Sequence, residues 1–211
     1  MKFKPRVKRV TTAASLSVAI MTALLVTSAS TPLVAKSPKD PGDALIRQKN
    51  DATCGPAAVA TLLTFYFDVP TTEEEVVKLS GLGRDGVSLN GLAKACRAKG
   101  FEARGYLMTL QQLLDEVSGS GAPVIVDFVE PSYHFALVVG AAGDFILVSD
   151  PARGNVSIHR EDFMRRWGRT TLVVKSQRPP ARDLIEKRKR AAAMRLGTLN
   201  EASSPTSFSH F

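Results

Sequence analysis

The chain of 211 residues is long enough for one domain with a sizeable core and extensions at its ends. Its formal net charge of +8 divides into +5 on residues 1–35 and +4 on residues 178–211, which leaves −1 on residues 36–177. A nucleic-acid-binding domain carries its positive charge on the folded body, so this distribution argues against a nucleic-acid partner. Two cysteines are too few for a disulfide-dense scaffold. No glycine-rich phosphate loop ending in Lys-Ser or Lys-Thr occurs, so we expect no ATPase module on this chain.

Residues 1–30 have the layout of a secretory signal peptide. Five positive charges lie in residues 1–10, a mostly apolar run without charge covers residues 13–29, and small residues continue to Ser30. Cleavage is expected after Ala29 or Ser30. An uncleaved membrane anchor is the alternative, although the run is shorter than the roughly 20 apolar residues that span a bilayer. In both cases the flanking positive charges predict that the following domain is exported, to the periplasm or the extracellular space.

Residues 31–43 contain three prolines and one glycine and are predicted to be a linker. The folded domain is therefore predicted over residues 44–177, and its first part is helical. The run from Cys54 to Phe67 has almost no polar face, which predicts a helix in the centre of the core. Capping side chains predict the starts of three further helices, at Thr72, Ser88 and Thr109.

The second part of the predicted domain is rich in β-forming residues. After a first strand over 101–107, three β-rich runs joined by short turns cover residues 123–129, 134–140 and 144–150. A short strand near 156–158, a small helix over 160–167 and a strand over 170–174 follow. Helices first and antiparallel strands second predict an α+β fold in which the two halves pack on each other.

Residues 178–211 are polar and strongly basic. We expect them to form a solvated tail that is partly helical or disordered. The alternative is a helix that binds a membrane surface or a partner. Contact with a membrane is therefore expected only through the N-terminal segment or through this tail.

Cys54 stands at the predicted start of the apolar helix, six residues after Gln48. Backbone N–H groups in a first helical turn are unpaired and the helix dipole is positive there, so the position favours a thiolate over a thiol. Gln48 is close enough along the chain to donate a hydrogen bond to an oxygen at the same place. A nucleophile with an oxyanion donor is half of a cysteine peptidase site. A small buried cysteine at a helix start is the alternative interpretation.

A thiolate nucleophile needs a base, and the base needs a group that orients it. Of the three histidines, His210 lies in the tail and His159 precedes a small helix, whereas His134 begins a predicted strand. Asp150 ends the next strand of the same predicted hairpin, whose turn lies near residues 141–143. The start of one antiparallel strand lies beside the end of the next, so we expect His134 and Asp150 to be neighbours at one edge of the sheet. A carboxylate there fixes the imidazole tautomer and stabilises its cation.

These stretches, in this order, resemble the bacteriocin-processing peptidases that cut after a double glycine, which are papain-like cysteine peptidases. The resemblance covers about Leu45 to Val174. It rests on the spacing of Gln48 and Cys54, on Gly86-Val-Ser-Leu at the third helix, on His134-Phe-Ala-Leu-Val-Val and on Asp150-Pro151. Such peptidases are best known as domains of export transporters, and we see no transporter on this chain.

The resemblance implies a papain-like fold and a role for each residue. Cys54 would be the nucleophile, His134 the general base and later the acid, and Asp150 the residue that orients His134. Gln48 and the backbone N–H of Cys54 would form the oxyanion hole. The family cuts leader peptides after paired glycines, through a thioester that water resolves, and uses no metal or cofactor.

The residues leave three hypotheses. The first is an exported cysteine endopeptidase that cuts a secreted or envelope polypeptide, with a peptide or protein as its only required partner. The second is a catalytically silent peptidase-like module that holds a peptide near Cys54. The third is a structural envelope protein in which a disulfide joins Cys54 to Cys96. Cys96 by itself is interpreted as a small core residue of the third helix.

Overall fold

The computed structural model describes residues 44–83, 86–177 and 179–202, with the backbone alone over 195–202. The predicted signal peptide and linker, residues 1–43, lie outside the described residues. Within the described ranges, no helix combines the length and the apolar character that crossing a membrane requires.

The described chain places its helices mainly before its strands. The helices are α1 (Cys54–Thr61), α2 (Glu73–Ser80), α3 (Leu89–Ala98), α4 (Leu110–Ser120), α5 (Arg160–Arg166) and α6 (Arg182–Ala202). The strands are β1 (Glu102–Leu107), β2 (Val124–Phe128), β3 (His134–Ala142), β4 (Phe145–Asp150), β5 (Gly154–His159) and β6 (Trp167–Lys175). They form one sheet in the order β1-β6-β2-β3-β4-β5, in which every neighbouring pair is antiparallel. The predicted α+β fold is confirmed.

Hydrophobic side chains cover both faces of the sheet. On one face, α1 and α3 pack against the strands, and their apolar cluster includes Leu92 and Phe135. On the other face, α4 and α5 contribute Leu113 and Phe163 to a second cluster. Successive residues of a strand point to opposite faces, so Phe135 joins the first cluster while Ala136 joins the second.

Helix α1 lies at the centre of the first face. All eight of its residues are buried, as the lack of a polar face predicts. The helix continues through one π-helical turn, Leu62–Tyr66, and so ends close to the predicted end at Phe67. Because α1 is fully surrounded, the position of its first residue, Cys54, is fixed by the core.

The three predicted helix starts are confirmed. The side chains of Thr72, Ser88 and Thr109 each accept a hydrogen bond from the backbone N–H group three residues further on. Glu75 and Gln112 complete two of these caps by accepting from the backbone N–H of the capping residue. Local sequence was sufficient here because both partners lie within one helical turn.

The structure agrees with the predicted helical part of the tail but differs from its predicted solvation, and residues 203–211 lie outside the described residues. Residues 182–202 form α6, which packs against β3. Ile185 is 3% exposed and Arg188 is 7% exposed, and Leu184 and Ala192 pack against the same cluster as α1. The basic run Lys187-Arg-Lys-Arg190 predicted an exposed segment. A buried arginine is stabilised by partners from distant parts of the chain, which a local pattern does not show.

Candidate active site

Cys54 is the first residue of α1 and is 7% exposed. The turn before it, Asp51–Thr53, is held by Asn50, whose Oδ1 accepts from the N–H of Ala52 at 3.0 Å. On the other side, the backbone N–H of Phe135 donates to the Cys54 Sγ at 3.5 Å. These contacts hold the sulfur between the start of α1 and the start of β3.

The residue after the cysteine has to be small. A Cβ atom on Gly55 would lie 2.9 Å from a methyl carbon of Leu92 and 3.0 Å from the ring of Phe135. A glycine here lets α1 approach the sheet closely enough for Cys54 to meet the first residue of β3. The Cys54-Gly55 pair in the sequence therefore has a packing reason.

His134 begins β3, and its imidazole contacts both other predicted site residues. Its Nε2 lies 2.8 Å from Asp150 Oδ1, which confirms that the two residues are neighbours at one edge of the sheet. The same imidazole is hydrogen-bonded to the thiol of Cys54. Because Nε2 faces Asp150, Nδ1 is the nitrogen left to face the sulfur.

Asp150 ends β4 and is 1% exposed. Besides His134, its Oδ1 accepts from the backbone N–H groups of Ala152 at 2.8 Å and Arg153 at 3.2 Å. The guanidinium of Arg153 lies 3.9 Å from the other carboxylate oxygen. The turn after β4 thus holds the carboxylate in one orientation, towards the imidazole.

The electrostatics of the three groups favour a thiolate and an imidazolium. Burial opposes ionisation of Cys54, but hydrogen bonds from His134 and Phe135 outweigh it and lower the thiol pKa. Burial disfavours the His134 cation, but the contacts with Asp150 and Cys54 outweigh it and raise the imidazole pKa to about 9. Burial also opposes ionisation of Asp150, and the hydrogen bonds from His134 and the turn outweigh it, which lowers the carboxyl pKa.

Gln48 lies beside this group. Its backbone N–H donates to the carbonyl of Pro151 at 3.2 Å, which ties it to the turn after Asp150. Its side-chain Nε2 donates to the carbonyl of Asn50 at 3.0 Å, and its buried Oε1 has no hydrogen-bond partner among the described residues. An amide nitrogen carries two hydrogens, so one N–H remains after the bond to Asn50.

A cleft of about 370 Å³ opens in front of His134 and Gln48. Its wall contains acidic and basic side chains. The other lining residues are Asp51, Glu130, Pro131, Ser132, Tyr133, Ala152, Arg153 and Arg166. The ring of Tyr133, 56% exposed, packs edge-on against Phe135 with 5.2 Å between ring centroids. The cleft reaches the histidine, while Cys54 lies behind it and is not one of the lining residues.

Cys96 has the core position that its helix predicts. Its side chain is 0% exposed, and burial raises the pKa of its thiol to about 12. Both Cys54 and Cys96 are free thiols. The two thiols therefore differ in how readily they ionise, since contacts outweigh burial at Cys54, whereas burial outweighs the charge of Arg97 at Cys96.

Sequence reasoning missed two contributors to this site. The backbone N–H of Phe135 carries no sequence signal, because its role depends on the close approach of α1 to β3. Asn50 had a signal, since an Asn three residues before Thr53 is a capping pattern, and the two do form a reciprocal cap. Within the described residues, no three His, Cys, Asp or Glu side chains form a group that could hold a metal ion.

A helix that starts at a cysteine and packs on an antiparallel sheet, one strand of which starts at a histidine, is the architecture of papain-like enzymes, and this chain is a cysteine peptidase. Residues 43–178 match the peptidase C39 family over more than half of the chain. The chain belongs to that family.

Proteins from several organisms, and one solved structure among others, are similar to this chain over the same domain. An uncharacterized protein of Methanothermobacter thermautotrophicus is 31% identical over 132 residues, which are 63% of this chain and 88% of that protein. The probable functional amyloid protease FapD of Pseudomonas fluorescens is 30% identical over 62% of this chain and 59% of its own length. Among solved structures, a double glycine motif protease from an AMS/PCAT transporter, in complex with the leader peptide, is 29% identical with a TM-score of 0.56. The alignment covers 63% of this chain and 91% of that one.

Proposed function

We propose that this peptidase is an exported endopeptidase that cuts a secreted or envelope polypeptide after small residues, with Cys54 as its nucleophile. The observation that carries the proposal is the position of His134, whose imidazole contacts the Cys54 thiol on one side and Asp150 Oδ1, at 2.8 Å, on the other. His134 can therefore act as the base for Cys54, and Asp150 can orient that base.

The proposed reaction has two halves. The Cys54 thiolate attacks the peptide carbonyl, and the imidazolium of His134 gives its proton to the leaving amine, which leaves a thioester on the sulfur. His134 then takes a proton from water, hydroxide attacks the thioester carbonyl, and the sulfur departs as a thiolate with the carboxylic acid product. Asp150 stabilises the imidazolium and keeps Nε2 turned away from the sulfur. The backbone N–H of Cys54 and the Nε2 of Gln48 donate to the carbonyl oxygen as it becomes negative.

The depth of the sulfur supports a preference for small residues. Cys54 is 7% exposed, so a peptide backbone that binds in the cleft has to approach the start of α1 closely to reach its sulfur. A residue without a large side chain allows that close approach. The likeness to a double glycine motif protease bound to a leader peptide supports glycine in particular.

A panel of peptides with one shared flanking sequence tests the specificity. The purified whole chain is incubated with versions carrying Gly-Gly, Ala-Ala or Leu-Leu at the central position, and mass spectrometry locates any cut. We expect cleavage after Gly-Gly, slower cleavage after Ala-Ala and none after Leu-Leu. Equal cleavage of the Leu-Leu peptide contradicts the small-residue preference, and cleavage of none of the three contradicts the proposed endopeptidase.

The paired pKa shifts predict a plateau of activity below about pH 9. Activity rises as the pH passes the lowered pKa of Cys54, and it falls as the pH passes the pKa of His134 of about 9, where the proton needed by the leaving amine is lost. Asp150 is the charged group in contact with His134, Arg153 lies beside Asp150, and Asp51, Glu130 and Arg166 line the cleft in front of the pair. A pH profile of kcat/KM measures both limbs, and an alkaline limb near the ordinary imidazole value of 6.5 contradicts the pairing.

Replacing Gln48 by Ala should lower kcat by about 10²–10³-fold, the usual effect of losing one oxyanion donor. The backbone contact of Gln48 with Pro151 remains in the variant, so the fold should be kept. Gln111→Ala, on the exposed surface of α4, is the matched control and should leave kcat unchanged. A Gln48→Ala variant with normal kcat rules out the proposed role of its amide.

Export is supported by the charge and apolar pattern of residues 1–30. Residues 1–43, fused to a reporter enzyme that needs disulfide bonds to fold, should give reporter activity in bacteria. Leu24→Arg in the apolar run is the control that should abolish it. An intact but inactive wild-type fusion contradicts export.

A further inference from the structure

Helix α6 lies beyond the residues that match the peptidase family, yet it packs on the face of the sheet that carries the candidate site. The family match ends at residue 178 and α6 begins at Arg182. Its Ile185 enters the same apolar cluster as Cys54. The Cε atom of Lys189 covers Gly140, at the irregularity in the pairing of β3 with β4.

One charged side chain of α6 is buried. Arg188 is 7% exposed, and its guanidinium donates to three polar groups on three different elements. They are the hydroxyl of Tyr66, at 3.0 Å, the hydroxyl of Ser149 and the amide oxygen of Asn155. The Ser149 hydroxyl also donates to Asn155 Oδ1 at 3.1 Å. Burial of a guanidinium is costly, so this set of contacts is a specific arrangement rather than a by-product of packing.

The contacts of Arg188 lie at the base of the turn that holds Asp150. Ser149 immediately precedes Asp150 on β4 and pairs with Asn155 on β5. Between them the chain makes the turn whose N–H groups, those of Ala152 and Arg153, donate to Asp150 Oδ1. Arg188 thus joins both strands at the point where the turn leaves the sheet.

We propose that Arg188 is a positioning residue for the active site, acting through Ser149 and Asn155 on the orientation of Asp150. The guanidinium holds the two strand ends together, the turn between them holds the carboxylate, and the carboxylate holds His134. Helix α6 then contributes to catalysis by supplying Arg188. This inference rests on the proposed function, since it concerns the same Cys54–His134–Asp150 group.

The test uses the rate of alkylation of Cys54 by iodoacetamide as a function of pH. Only the thiolate reacts, so the midpoint of the profile reports how well His134 and Asp150 stabilise it. No peptide substrate is needed, and Cys96, which is 0% exposed, is the internal control that should stay unlabelled in the folded protein. The titratable groups nearest the thiol are His134 and Tyr133. Asp150 contacts His134, and Arg153 contacts Asp150.

In the Arg188→Met variant, which keeps an apolar stem of similar length, the midpoint should rise by about one pH unit, because a loosely held carboxylate stabilises the imidazolium less. With a Gly-Gly peptide, kcat should fall about tenfold while KM stays within about twofold, since the cleft itself is unchanged. Arg188→Lys should recover part of both effects, because an ammonium reaches fewer of the three acceptors. Arg190→Met, at an exposed position of the same helix, is the matched control and should match the wild type.

The possible results separate this inference from the proposed function. A wild-type midpoint at the ordinary thiol value of 9.0 contradicts the proposed function itself. A low wild-type midpoint that is unchanged in a folded Arg188→Met variant overturns the positioning role alone. If Arg188→Met does not fold, Ser149→Ala, a smaller change that removes the acceptor beside Asp150, should shift the midpoint in the same direction. An unchanged midpoint in Ser149→Ala overturns the inference.

Discussion

Replacing Cys54 by Ala is expected to abolish peptide hydrolysis, with a loss of at least about 10⁴-fold in kcat/KM, while the protein stays folded. The thiolate makes the only covalent bond to the substrate in the proposed reaction, and neither His134 nor Gln48 can replace it. The thiol is a small side chain whose partners are the imidazole of His134 and the N–H of Phe135, so the cost in the free energy of unfolding should be about 1 kcal/mol.

The matched control for this variant is Cys96→Ala. Cys96 lies in the core of the same domain, at 0% exposure, and takes no part in the site. Its replacement should cost stability, roughly 1 kcal/mol, and leave kcat/KM unchanged. Turnover by Cys54→Ala at the wild-type rate would falsify the assignment of the nucleophile. The inactive variant should also retain a bound peptide, which makes it suitable for capturing and identifying the natural substrate from the envelope fraction.

Replacing His134 by Ala should lower kcat by roughly 10⁴-fold or more, because both the activation of the thiol and the proton for the leaving amine are lost. The alkylation midpoint of Cys54 should rise in the same variant, since the hydrogen bond and the charge that lower the thiol pKa come mainly from this imidazole. Asp150 keeps the N–H groups of Ala152 and Arg153, so the turn should remain in place.

The chain offers a control of the same residue type. His159 is exposed at the end of edge strand β5, where its ring packs against Phe145 with 5.6 Å between centroids. His159→Ala should leave both kcat and the alkylation midpoint of Cys54 unchanged. If His134→Ala retains the wild-type kcat, or if its midpoint does not move, His134 is not the partner of Cys54.

The placement of His134 beside Asp150 was predictable from the sequence. Two β-rich runs with a short turn between them predict an antiparallel hairpin, and a hairpin brings the first residue of one strand to the last residue of the next. The structure confirms this with a distance of 2.8 Å between Nε2 and Oδ1. The helix starts at Thr72, Ser88 and Thr109 were predictable for the same reason, because all of the partners are close along the chain.

The position of Cys54 against this hairpin was predictable only through the resemblance to a family. The cysteine and the histidine are 80 positions apart, and the contact depends on how closely α1 packs on β3. That approach needs the missing side chain of Gly55, which leaves room for Leu92 and Phe135. Gly55, Leu92 and Phe135 are far apart in the chain, so no local sequence pattern shows that they meet.

The sequence by itself determined the order of the elements, the apolar character of α1 and the identity of four polar residues able to act as nucleophile, base, orienting group and oxyanion donor. Only the tertiary structure decided that helix α6 packs on the domain, with Arg188 buried against Ser149 beside Asp150. It also showed that burial opposes the pKa shifts of Cys54, His134 and Asp150 and that the contacts among them outweigh it. The physical reason is that helix caps, turns and hairpins depend on neighbours along the chain, whereas burial and charge stabilisation depend on groups that meet only after the chain has folded.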